Sequence, residues 1–215
     1  MQRPLEFTAR RRWHRTVSTI VTVLTLSGTF ALAGCDQKPS LSFQNLDITG
    51  NRQFASNFSL PDTNGNTRTL ADYRGKIVIM VFDYTHCPDV CPTTLAELSQ
   101  AMQQLGPEKA QHIQVLFVSL DPERDTAPIL AQYAAAFDPS FRALRPADAD
   151  QLRKIATDFH LVYEKVPGTN ADNYTMNHTA ASLVFDTHGK LRLYVRDAQG
   201  SAPWVHDLGE LLDAG

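Results

Sequence analysis

Two cysteines, Cys87 and Cys91, stand four residues apart in Asp83-Tyr84-Thr85-His86-Cys87-Pro88-Asp89-Val90-Cys91-Pro92. A thiolate is both a nucleophile and a soft metal ligand. The spacing therefore suits three jobs: a plain disulfide, a dithiol redox couple, or half of a metal site. Within a helical turn, side chains at i and i+4 have Cβ atoms about 5–6 Å apart, close enough for two sulfurs to converge on one ion. Pro92 disfavours helix at Cys91. Either the first helical turn is distorted, or the regular helix starts at Pro92 with both cysteines in the loop before it. Two thiolates make an incomplete zinc site and a good start on a copper(I) site, which wants a third donor.

Seven histidines are available. His14 lies in an N-terminal segment read below as an address. His188 falls in a turn and His206 on a terminal helix, His112 precedes a strand, and His160 ends a helix. His86 adjoins Cys87 with no fixed direction toward it. His178, in Tyr174-Thr175-Met176-Asn177-His178-Thr179, stands directly before an apolar strand. Met176 beside it is read as packing rather than as a weak sulfur contact.

The elements that must bring these residues together follow from hydrophobic period. Ile77–Phe82 and Ile113–Val118 are continuous apolar runs of strand length, as expected of strands buried on both faces. Between them Leu95, Leu98, Met102 and Leu105 recur at helical spacing until Gly106-Pro107. This is a parallel strand–helix–strand crossover. Helices follow on Ile129–Phe137, with Asp125 as the expected cap, and on Leu152–Phe159. Strands at 182–185 and 191–195 are joined by a turn containing Gly189, and an amphipathic helix carries Trp204, Leu208 and Leu211. Asn64-Gly65 predicts an early hairpin.

The expected class is α/β: a thioredoxin-like fold with an N-terminal hairpin extension and inserted elements. The cysteine segment then lies at the carboxyl end of a parallel strand, where such folds place ligand sites. It also lies beside a helix N-terminus, whose dipole lowers a thiol pKa from about 8.5 toward about 3.5–7.5. In thioredoxin the loop entering the later strand sets a cis-proline against the sulfur. Here no proline stands between Pro167 and Pro203, and His178 occupies that neighbourhood, where it could complete a Cys87–Cys91–His178 site.

Composition bounds the alternatives. The 215 residues are 43% hydrophobic and 20% charged, with a net charge of −3, which fits one globular domain and disfavours nucleic-acid binding. Three cysteines are too few for a disulfide-built scaffold. The first 34 residues hold five basic side chains and one acid, followed by an uncharged apolar stretch ending in Leu32-Ala33-Gly34-Cys35. This reads as an export signal and resembles a bacterial lipobox. Cys35 is the expected lipidated N-terminus, with an uncleaved anchor as the alternative. Asp36 resembles an inner-membrane retention signal. The expected organisation is a lipoprotein signal peptide at 1–34, a lipidated N-terminus and polar tether at 35–50, and a folded domain at 51–215. The localisation expected is a bacterial cell envelope, as an inner-membrane lipoprotein facing the periplasm. Without the signal the chain carries 15 basic and 22 acidic residues, or −7.

Three blocks together resemble the Sco/SenC family of copper chaperones: Thr85–Pro92, Val118-Ser119-Leu120-Asp121-Pro122-Glu123-Arg124-Asp125-Thr126, and Asn177-His178-Thr179. The resemblance implies a thioredoxin-like fold and copper, Cu(I) and also Cu(II), on Cys87, Cys91 and His178. It implies a membrane-tethered metallochaperone that assists the dinuclear copper site of cytochrome c oxidase. The partners implied are that enzyme's copper-bearing subunit or another copper chaperone. Asn177 departs from the family, in which many members carry aspartate there. Asp121 and Asp125 read as turn and helix capping, or as an acidic contact near the metal mouth or for a partner. The alternative function is an extracytoplasmic thiol–disulfide oxidoreductase or thiol peroxidase using the same two sulfurs.

Overall fold

The computed structural model describes residues 41–87, 90–170 and 173–215, with backbone alone at 90–91 and 169–170. The segment read as signal and lipid site, including Cys35, lies outside the described residues. Among the described residues no helix is long and apolar enough to cross a membrane.

Among the described residues ten strands, five α-helices and a 3-10 turn at Leu70–Tyr73 follow one another. The strands are β1 (Leu46–Asp47), β2 (Ser59–Pro61), β3 (Thr67–Thr69), β4 (Ile77–Asp83), β5 (Ile113–Ser119), β6 (Arg142–Leu144), β7 (Tyr163–Asn170), β8 (Asn173–His178), β9 (Ala181–Phe185) and β10 (Leu191–Arg196). The helices are α1 (Val90–Leu105), α2 (Pro107–Ala110), α3 (Ala127–Phe137), α4 (Ala149–Asp158) and α5 (Ser201–Ala214). The main sheet runs β1-β10-β9-β4-β5-β6. β4 is parallel to β5, and β5 to β6, while β9 pairs antiparallel with β4.

Every residue of β4 and β5 is buried, as their unbroken apolar runs require. Alternation then divides β4 between two cores. Ile77, Ile79 and Val81 face a cluster built with Leu95 and Leu98 of α1, Leu130 of α3, and Trp204 and Leu208 of α5. Val78, Met80 and Phe82 face the other, with Phe58, Leu60, Ile155, Phe159 and Met176. Met176 is therefore core. The expected β2–β3 hairpin is present, and Gly65 takes φ +82°, the left-handed conformation its turn needs.

Two expectations need correction. Residues 41–50, read as part of a polar tether, fold onto the domain: β1 pairs with β10, and Leu41 and Phe43 pack on the core. The anchor is Asp207 of α5, 1% exposed, whose carboxylate accepts from Gln44 N, Asn45 N and Asn45 Nδ2 at 2.8–2.9 Å. Asp207→Ala is expected to destabilise the protein by about 2 kcal/mol in urea unfolding and to expose residues 41–47 to proteolysis. Second, the region before His178 is no simple loop. β7 and β8 form a separate two-stranded ribbon. Its polar composition and its Pro167-Gly168 pair gave no strand signal. A strand the sequence did not announce, β6, is three residues long, too short to show a period.

Candidate metal centre

β4 delivers Asp83 to the carboxyl edge of the sheet, in register with Ser119 of β5. The chain turns through Tyr84–Cys87, closed by a bond from Cys87 N to Tyr84 O, and enters α1 at Val90. Cys91 is thus in the first helical turn, while Cys87 precedes the helix. The helix starts at Val90 rather than at Pro92, which sits in the first turn, where its missing N–H would have had no intrahelical partner. Cys87 is half-buried, packs against the second core cluster, and is disulfide-bonded.

His178 ends β8, with 7% of its side chain exposed. Its Nε2 lies 3.1 Å from Asp83 Oδ1 and its Nδ1 3.1 Å from the Thr179 carbonyl. Tyr84 meets the ring edge-on, with centroids 5.9 Å apart. Nδ1 faces a carbonyl acceptor, and Nε2 shares a proton with Asp83 Oδ1. Burial pushes its pKa down, but the hydrogen bond and charge of Asp83 outweigh burial and raise it. Burial also raises the pKa of Asp83, against the opposing pull of His178. The two groups compete for one proton, and the geometry favours the ion pair. Ligand atoms of Asp83, Cys87 and His178 all lie within 4.8 Å of one another.

The structure thus brings together two of the three predicted ligands, Cys87 and His178. The Cys91 side chain lies outside what is described. The remaining histidines go elsewhere: His86 Nδ1 to the Thr85 hydroxyl, His160 Nε2 to Gln53 O, His188 Nδ1 to the Thr187 hydroxyl, His206 Nδ1 to Asp207. No cis peptide bond occurs among the described residues.

A polar network holds both halves of the centre. Asp125, fully buried, accepts from the Ser119 hydroxyl at 2.6 Å and from both the N–H and the hydroxyl of Thr85. Burial raises its pKa against those bonds. It fixes the turn two residues before Cys87. Asp125 was expected to cap α3; the residue at that position is Thr126, which makes no side-chain cap bond. Asp121 is buried as well. It accepts from Arg124 Nε and from the Tyr174 hydroxyl at 2.7 Å, and so is no surface contact for a partner. Arg124 also donates to Tyr174 O at 2.8 Å and stacks 3.5 Å from the Tyr174 ring centroid. The Tyr84 hydroxyl accepts from Met176 N at 3.2 Å. These bonds tie the ribbon carrying His178 to the sheet edge carrying Cys87.

Sequence reasoning missed Asp83, Arg124 and Tyr174. Asp83 had a signal: a carboxylate closing a seven-residue apolar strand needs a partner.

A profile of the SCO1/SenC family matches residues 47–213. The chain belongs to the SCO1/SenC family. Among SCO1/SenC relatives, a mitochondrial protein SCO2 homolog of Bos taurus is 34% identical over 145 residues, covering 67% of this chain and 54% of the relative. The chain therefore matches about half the length of that relative. An SCO2-like protein of Rickettsia felis is 30% identical over 141 residues, covering 65% and 68%. Two solved structures share the fold. Bradyrhizobium japonicum ScoI, solved with copper bound, is 34% identical with a TM-score of 0.63, covering 74% of this chain and 99% of its own. Apo Sco1 of Thermus thermophilus is 33% identical with a TM-score of 0.69, covering 80% and 99%. The expected thioredoxin-like α/β class stands with these Sco folds.

Proposed function

We propose that this chain is a membrane-tethered copper metallochaperone that holds copper on Cys87, Cys91 and His178 and assists assembly of the dinuclear copper site of cytochrome c oxidase. The observation that carries the reading is the approach of the His178 ring to the Cys87 sulfur within 4.8 Å, from far apart in the sequence. The donor chemistry fits copper: thiolates select Cu(I), and imidazole serves both Cu(I) and Cu(II). A copper-bound relative 34% identical to this chain supports the choice of metal.

Cys87 is oxidised in this structure, with Cys91 as the second sulfur in this reading. Loading therefore begins with reduction. A dithiol donor attacks the disulfide, passes through a mixed disulfide, and leaves as its own disulfide while the two thiols form. Copper then displaces the thiol protons, and one imidazole nitrogen gives up its proton. Asp125 and Arg124 keep turn and ribbon in place throughout. The tether is the lipid on Cys35, which would set the domain on the periplasmic face of a bacterial inner membrane. The recipient is the oxidase's copper-bearing subunit or another copper carrier.

The test is titration of the reduced chain with Cu(I) under a competing chelator. One copper per chain is expected. Cys87→Ser or Cys91→Ser abolishes it, and His178→Ala weakens it by roughly 100-fold. Binding indifferent to His178 overturns the ligand set. Loss of acyl labelling in Cys35→Ala checks the anchor.

The disulfide at Cys87 beside a helix N-terminus favours one second reading, a thiol–disulfide oxidoreductase or thiol peroxidase working without metal. Turnover of a peptide disulfide or a peroxide by metal-free protein would single it out.

A further inference from the structure

We infer that Asp83 is a further donor to copper in this centre, and that its carboxylate oxygen shifts the site's preference from Cu(I) toward Cu(II). The inference rests on the copper reading above.

Asp83 is wholly buried at the end of Ile77-Val78-Ile79-Met80-Val81-Phe82. A buried carboxylate is expensive unless its oxygens are satisfied. Oδ1 accepts the Tyr84 N–H at 2.8 Å and faces His178 Nε2. Oδ2 is buried with no hydrogen-bond partner. Asp197, whose carboxylate feels the charge of Asp83, also leaves Oδ2 buried without a partner but is not in the 4.8 Å cluster; Asp121 and Asp125 differ. Both oxygens of Asp121 and of Asp125 are bonded within the network. Among the carboxylates with an unsatisfied buried oxygen, Asp83 is the one that shares the 4.8 Å cluster with a sulfur and an imidazole.

A cation in that cluster would give the buried carboxylate a counter-charge. An imidazole nitrogen that takes a metal no longer donates a hydrogen bond, so copper on Nε2 would also deprive Asp83 Oδ1 of the ring. The carboxylate would then keep the Tyr84 N–H as its hydrogen-bond donor and face the ion. Soft sulfur favours Cu(I), whereas nitrogen and oxygen donors favour Cu(II). Adding a carboxylate to sulfur and imidazole therefore stabilises the divalent ion more than the monovalent one. Asp83 discriminates by charge and hardness, and Cys87 and Cys91 supply the common grip.

The experiment compares the full chain with Asp83→Asn, both reduced and anaerobic. Each is titrated with Cu(I) and, separately, with Cu(II) against competing chelators, and the freshly loaded Cu(II) forms are compared by electron paramagnetic resonance. Asparagine keeps the size and an oxygen for the Tyr84 N–H. The expected result is a Cu(II) affinity lower by about tenfold or more, a Cu(I) affinity nearly unchanged, and an altered copper hyperfine splitting. A tenfold loss confined to Cu(II) raises the one-electron potential by about 59 mV. Equal changes for the two ions, or none, overturn the inference. Should Asp83→Asn not fold, X-ray absorption on the unaltered chain decides: one more nitrogen or oxygen neighbour in the Cu(II) form supports it, and equal counts overturn it. An unaltered chain that binds copper through Cys87 and His178 without discrimination at Asp83 sinks this inference alone. A chain that binds no copper sinks the copper reading with it.

Discussion

Arg124→Ala is expected to lower the free energy of unfolding by about 3–5 kcal/mol, the usual effect of stripping one partner from a buried ion pair. Three losses coincide. Asp121, 1% exposed, is left with a buried charge and only the Tyr174 hydroxyl on its oxygens, apart from any bond relaxation creates. The Tyr174 carbonyl loses its guanidinium donor, and the Tyr174 ring loses the cation stacked on it. Arg124→Lys is expected to recover part of the stability, because an ammonium keeps the charge but not the fork that reaches Asp121 and Tyr174 together. Urea unfolding measures the loss. Hydrogen exchange places it: protection should fall in 163–178 before it falls in β4 or β5. Uniform loss across the sheet would mean that Arg124 supports the core generally rather than the ribbon.

Asp197→Asn is expected to stabilise the metal-free protein, and to do so more as pH rises. Asp197 follows β10, accepts from the Ser182 hydroxyl at 3.2 Å, and leaves Oδ2 buried without a partner. Burial first, then the charge of Asp83, push its pKa up to about 7, against the Ser182 bond and the charge of His178. An unfolded chain releases that proton near pH 3.9. Between these values the folded state holds a proton that the unfolded state lacks. Unfolding free energy therefore falls by about 1.4 kcal/mol per pH unit in that window. Asparagine never ionises, so its advantage should grow by about 3 kcal/mol between pH 5 and pH 8. Parallel urea curves at the two pH values read it directly. A pH-independent difference would show that Asp197 ionises in the fold as easily as in the unfolded chain.

Much of the frame was legible because apolar runs declare themselves. β4, β5, α1 and α5 lie where period and breakers put them, and Cys87 and His178 meet as the strand order requires. What was illegible has specific reasons. The ribbon that presents His178 buries Met176 but is also clamped by Arg124, Asp121 and Tyr174, and polar clamps leave no periodic trace. Residues 41–50 look like solvated chain because their anchor, Asp207, lies more than 150 residues away. Asp125 sits where a helix cap belongs, yet its side chain turns inward to Thr85 and Ser119. Composition alone favours capping for such a residue; only the fold reveals the second claim on it.

The ribbon's independence of the main sheet has a thermodynamic corollary. An ion gripped from both sides of that seam stabilises only conformations in which the seam is shut, by RT ln(1 + [L]/Kd). Local opening of the ribbon and occupancy of the centre are then linked equilibria, while deeper strands feel the ion only through global unfolding. Whatever pries the arm away, such as a docking protein that prefers it extended, weakens the grip by the same free energy that closure contributed.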